Sequence, residues 1–162
     1  MEIGNNKKAT FFAMVNIVLP IIIGGFIYVA WRKETLLMFY WLRYLGLEVI
    51  VIHFRIYMNQ FHGQVPKFIL YCLPDGLWVY SLTFFMGWLW KDVSKRASIF
   101  WLVIGPVLGI GGELGQLFGL VQGHFDFLDL FACSVAALSA GYFIQIHKYL
   151  RQKKLVRINI LN

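Results

Sequence analysis

Four stretches of the chain, residues 10–31, 68–90, 97–118 and 127–147, are each long enough to cross a bilayer as an α-helix and carry almost no charge. Crossing the hydrocarbon core takes about 20 helical residues at 1.5 Å rise each. Composition agrees with that reading. Hydrophobic residues make up 59% of the chain, charged residues 14%, and the mean hydropathy is +0.66. A water-soluble domain carries about 25% charged residues, so this chain has too little charge to solvate a globule and must use lipid as its solvent. The expected fold is all-α: one polytopic transmembrane helical bundle over residues 1–162, with four spans. Trp31, Trp88, Trp90, Trp101, Tyr142 and Tyr149 fall near span ends, where aromatic rings with a polar tip favour the headgroup layer.

The net charge of +7 would point to nucleic acid in a soluble protein. Here the cations flank the apolar runs, which assigns them to topology and anionic headgroups and excludes nucleic acid as a partner. Lys91, Lys95 and Arg96 lie between the second and third spans. Lys148, Arg151, Lys153, Lys154 and Arg157 follow the fourth, and the turn 119–125 has no Lys or Arg. The positive-inside rule puts the 91–96 loop and the basic tail 148–162 in the cytoplasm and the 119–125 turn outside. The first span follows Lys7 and Lys8 and is too long for a cleaved signal's apolar core of about 7–15 residues, so it is expected to stay. Segment 35–58 is apolar but carries Arg43, Glu48, His53 and Arg55. Each charge at mid-bilayer costs about 2.5–3.5 kcal/mol, so an amphipathic segment on the outer face is favoured over a fifth span. Cys72 and Cys133 sit in apolar surroundings and read as small buried hydrophobes.

Acidic residues number only eight, and four of them converge on the outer end of this topology: Asp75, Glu113, Asp126 and Asp129. Glu113 and Gln116 are three apart and share a helix face. A lone carboxylate two turns inside an apolar helix is expensive, so Glu113 is either a structural hydrogen-bonding group or part of a polar pocket. The second span reads as interrupted near its start by Pro74-Asp75-Gly76; Asp126 and Asp75 each read as possible helix caps, after the turn and after Pro74 respectively, and Asp129 is a turn deeper. Arg43 or Arg55 on the interfacial segment would supply countercharge. Gly105, Gly109 and Gly112 form one close-approach face, and Gly111, Gly115 and Gly119 a second. A metal held by Glu113, His124, Asp126 and Asp129 is chemically allowed, but no recognised ligand spacing supports it, and no cofactor is expected. Ser81, Ser134 and Ser139 lack a His partner for nucleophilic catalysis.

Pro74-Asp75, an aromatic-rich span, Glu113-x-x-Gln116 and Phe125-Asp126-x-x-Asp129 leading into a small-residue helix together resemble VanZ-like membrane proteins over roughly residues 70–142. Those are small bacterial proteins whose namesake is associated with glycopeptide resistance. The family's Asp-Lys and following His-Phe stand here as Asp75-Gly76 and Val79-Tyr80. The resemblance implies a bacterial inner-membrane location. The leading functional expectation is a non-enzymatic envelope protein whose polar pocket (Asp75, Glu113, Gln116, His124, Asp126, Asp129, with Arg43 or Arg55) binds a lipid headgroup or lipid-linked precursor. The alternatives are an accessory subunit with membrane-protein partners and, more remotely, an intramembrane hydrolase or transferase using paired carboxylates. For topology, an alkaline phosphatase fused at residue 122 should be active and one fused at residue 153 inactive; the opposite pattern would invert the bundle.

Overall fold

The computed structural model describes the backbone of residues 3–161 and the side chains of residues 7–149 and Lys153. Those residues form α1 (Ile3–Trp31), α2 (Leu37–Tyr44), α3 (Glu48–Asn59), a 3-10 turn at His62–Gln64, α4 (Lys67–Leu89), α5 (Lys95–Leu102), α6 (Ile104–Leu117) and α7 (Phe127–Leu161). Four helical stretches are long and apolar enough to cross a membrane: Lys7–Trp31, Lys67–Leu89, Lys95–Leu117 and Phe127–Tyr149. They are the four runs expected from the sequence. The chain is an integral membrane helical bundle, and its outward faces carry side chains such as Phe11, Ile22 and Leu138 that only lipid would solvate. The tail expected after residue 147 continues α7 as helix; the side chains of Arg151, Lys154 and Arg157 lie outside the described residues.

Helix α4 is the hub, packing on α1, α6 and α7. Small residues permit the close approaches. A Cβ on Gly76 would sit 3.2 Å from the Ala132 carbonyl oxygen of α7, and one on Gly105 would overlap the Thr83 hydroxyl and lie 2.9 Å from its backbone nitrogen. Tyr80, Phe84 and Trp88 stack along α4 at four-residue spacing, with centroids 6.1 and 6.0 Å apart. Phe84 is fully buried against Ala13, Ala140 and Ile144. Toward the C-terminal end of α4, His147 stacks on Phe12 at 5.5 Å and meets Trp88 edge-on at 4.7 Å.

Three of the four spans contain a proline, and at two of them, Pro20 and Pro74, a side chain from outside the helix bonds a nearby carbonyl. Proline has no N–H to donate and disrupts the preceding turn. At Pro20 of α1, the Ser81 hydroxyl donates to the Ile17 carbonyl at 2.7 Å. Next to it, Tyr80 donates to Asn16 Oδ1 at 2.6 Å, and Asn16 Nδ2 to the Phe12 carbonyl at 2.8 Å. At Pro74 of α4, the Arg32 guanidinium donates to the Tyr71 carbonyl at 3.1 Å. Helix α4 therefore runs unbroken through Pro74-Asp75-Gly76, where an interruption and an Asp75 cap were expected. The third span breaks instead at Val103, between α5 and α6, where Pro106 cannot donate to the Leu102 carbonyl.

Segment 35–58 forms two short helices, α2 and α3, rather than one. At 12 residues, α3 is about 18 Å long, well short of the hydrocarbon core. It docks on the end of α1: Phe54 meets Phe26 at 5.3 Å, and Trp31 Nε1 donates to the Met58 carbonyl at 3.1 Å. The expected Gly111–Gly115–Gly119 packing face seats no helix. Nothing lies within 4 Å of a Cβ on Gly111, and Gly115 abuts Val121 of the following turn. Gly119 has φ +70° and closes α6: its N–H reaches the Gln116 carbonyl at 3.1 Å, and the Leu120 N–H the Gly115 carbonyl at 2.7 Å, the Schellman arrangement. Gly105→Leu is expected to destabilise the bundle by about 1–3 kcal/mol through overpacking, while Gly111→Leu leaves it unchanged. Thermal unfolding of both variants in detergent checks this contrast.

Candidate functional site

Helices α1 and α6 both pack chiefly on α4, and between them lies a cleft of about 670 Å³. Its floor is the stripe Asp75, Trp78, Leu82 and Phe85 of α4, at helical spacing along one face. Ile17 and Ile21 of α1 form one wall. Gly105, Leu108, Gly109, Gly112, Glu113 and Gln116 of α6 form the other, with Cys133 of α7 behind. Trp78, Phe85 and Leu108 are largely exposed, so the cleft opens sideways, toward the space a bilayer would fill. Polar groups gather at one end, at Asp75, Glu113 and Gln116. Beyond them the lining is apolar except for Ser81, whose hydroxyl is taken by the Ile17 carbonyl.

Asp75 is held from α1. Tyr28 Oη donates to its Oδ1 at 2.7 Å, and Arg32 Nη2 to its Oδ2 at 3.3 Å. The guanidinium also sits over the Tyr28 ring at 4.9 Å and near the Tyr71 ring at 5.4 Å. One cation thus serves a carboxylate, a carbonyl and two aromatic faces, while its Nε is buried with no partner. This pair (side chains 24% and 33% exposed) clamps α1 to α4 at the head of the cleft.

Helix α6 meets α7 through Glu113, whose Oε2 accepts from the Asp126 backbone N–H at 3.4 Å. Asp126 caps α7 as expected, its Oδ1 accepting from the Leu128 N–H at 2.8 Å. One turn further in, Asp129 faces Cys72 of α4. The Cys72 Sγ and carboxylate oxygens of Asp126 and Asp129 all lie within 4.8 Å of one another, and Asp129 Oδ1 is buried without a hydrogen-bond partner. A thiol and two carboxylates at that spacing could ligate a cation. This set differs from the one considered from sequence, since it includes Cys72 and omits Glu113 and His124.

The structure brings Asp75, Glu113, Gln116, Asp126 and Asp129 to one end of the bundle, as their positions in the sequence implied. His124 is exposed on the 119–125 turn and does not line the cleft. Arg43 and Arg55 are not the countercharges. Arg55 pairs with Glu34 at 3.2 Å, donates to the Val29 carbonyl at 2.7 Å and lies over the Phe39 ring at 5.0 Å. Arg43 lines a separate small hollow with Glu34 and Glu48. Their place is taken by Arg32, for which, as for Tyr28 and Trp78, no site role was expected, while Cys72, expected as a small buried hydrophobe, is buried but faces Asp129. The four-residue spacing of Tyr28 and Arg32, one face at the end of a span, was the available signal. Cys72 and Cys133 are both free and buried.

The fold and this site define an integral membrane protein with a sideways-opening, amphipathic cleft. No family model matches the chain, and neither does any curated protein or solved structure. Arg32→Gln should destabilise the protein by roughly 1–3 kcal/mol, because it strands a part-buried carboxylate. Adding Asp75→Asn should recover part of that loss, and a thermal double-mutant cycle with no coupling between the two positions would refute the clamp.

Proposed function

We propose that the protein binds a membrane lipid or a lipid-linked envelope precursor in the cleft between α1 and α6. Its polar end would lie at the outer leaflet of a bacterial inner membrane and its C-terminus in the cytoplasm. The observation that carries this reading is the division of the cleft into an acceptor-rich end and an apolar trough open to the side. From Asp75 to Phe85 the floor runs ten residues, about 15 Å at 1.5 Å per residue, or half of a core about 30 Å thick. That is the depth of one leaflet, so a headgroup at Asp75, Glu113 and Gln116 would leave its chains along Ile17, Ile21, Leu82, Phe85 and Leu108. The VanZ-like motif pattern over residues 70–142 supports a bacterial envelope setting, and the lysine and arginine distribution supports the orientation.

Binding rather than catalysis is favoured because the span serines have other partners: Ser81, Ser134 and Ser139 donate to the carbonyls of Ile17, Leu130 and Val135, and Ser98 accepts from Lys148 Nζ. A second reading, an accessory subunit of a membrane complex, draws on the exposed Tyr40, Trp41, Tyr44, Ile50 and Ile56 of α2 and α3, which the other described residues leave uncovered. Gly112 offers a direct test, since it lines the cleft and a Cβ there meets nothing within 4 Å. Gly112→Leu should fold normally and lower the lipid retained through mild-detergent purification at least about tenfold, equivalent to 1.4 kcal/mol. Unchanged retention by native mass spectrometry, with a stoichiometric protein partner present, would favour the subunit reading.

A further inference from the structure

We propose that the cleft selects a lipid whose headgroup carries a protonated amine, received at the end where Glu113, Gln116, Asp75 and Trp78 meet. The inference rests on the lipid-binding reading above and adds the chemistry of the headgroup. Charge at the polar end is one-sided. The cleft is lined by two carboxylates and an amide, and among the described residues no Lys, Arg or His side chain lines it. Arg32 approaches from α1, but its guanidinium is already shared between Asp75, the Tyr71 carbonyl and two tyrosine rings. It therefore balances Asp75 and leaves Glu113 without a countercharge. The contact made to Glu113 is a 3.4 Å hydrogen bond from the neutral Asp126 backbone N–H, and the next carboxylates, Asp126 and Asp129, add negative charge behind it.

An anionic headgroup would enter this end against those carboxylates, whereas an ammonium supplies the missing cation and up to three donors to acceptor oxygens. Trp78 strengthens the match. It lines the cleft one turn along α4 from Asp75 and is 46% exposed, and indole is the best of the side-chain faces for an ammonium group. A carboxylate beside an accessible indole, in a trough built for acyl chains, is the arrangement an aminophospholipid fits.

The test uses the full chain in mild detergent, equilibrated with equimolar phosphatidylethanolamine and phosphatidylglycerol of identical acyl chains, with retained lipid quantified by mass spectrometry. Cleft-bound lipid is the amount lost on Gly112→Leu. In the wild type that fraction should favour phosphatidylethanolamine about tenfold. Glu113→Gln, which keeps the acceptor for the Asp126 N–H, should bring the ratio of the two lipids close to parity. Trp78→Leu, which keeps an apolar lining, should lower the ratio independently. Parity or an excess of phosphatidylglycerol in the wild type would overturn the amine inference while leaving the lipid site standing, as would an unchanged preference in both variants. Loss of no lipid on Gly112→Leu would instead remove the lipid site itself, and this inference with it.

Discussion

A bilayer offers no water to hydrogen-bond a polar group, and that constraint explains where most of the polar side chains in the four spans go. Ser81, Asn16 and Tyr80 tie α1 to α4 around Pro20, and Arg32, Tyr28 and Asp75 do the same around Pro74. Interhelical hydrogen bonds in membranes average about 0.6 kcal/mol and reach about 1.7. These two clusters therefore fix the seating of α1 on α4 more through the groups they would strand than through the bonds they add. Pro20 and Pro74 are tolerated because a side chain from across the α1–α4 interface bonds a carbonyl near each one, whereas Pro106 coincides with the break between α5 and α6. The Asp75–Arg32 pair follows the same rule, since each charge would be far more costly in the membrane without the other.

Once α1 and α6 are both committed to α4, the space between them stays open. The glycines of α6 decide its shape. Gly105 and Gly109 bring α6 against Thr83 and Val79, whereas Gly112 meets nothing and widens the trough beside Glu113. Helix seating and the cleft are thus two results of one packing pattern. The polar end inherits its character from the same pattern, because the cation within reach is spent on the α1–α4 clamp and the remaining groups are acceptors.

The spans were legible in the sequence because length and hydropathy fix them independently of packing. The convergence of Asp75, Glu113, Asp126 and Asp129 was also legible, because alternation of spans dictates which ends share a membrane face. Which cation answers Asp75 was not. Arg43 and Arg55 looked better placed because they interrupt an apolar segment, but Arg55 meets Glu34 and the Val29 carbonyl, Arg43 lines a separate hollow, and Arg32 reaches Asp75 only because α1 lies along α4. The apparent break at Pro74-Asp75-Gly76 failed as a signal for a related reason: a guanidinium from another helix steadies the proline turn. The approach of Cys72 to Asp129 depends on how α4 and α7 cross, which no local pattern encodes.

The central claim is that a lipid occupies the α1–α4–α6 cleft and not merely the outer surface of the bundle. Cross-linking with a phospholipid bearing a photoactivatable group midway along one acyl chain, followed by peptide mapping, tests it most directly. Adducts should concentrate on Ile17 and Ile21 of α1, on Leu82 and Phe85 of α4 and on Leu108 of α6. Adducts spread evenly over outward-facing residues such as Phe11, Ile22 and Leu138, with the cleft-lining peptides unmodified, would contradict it.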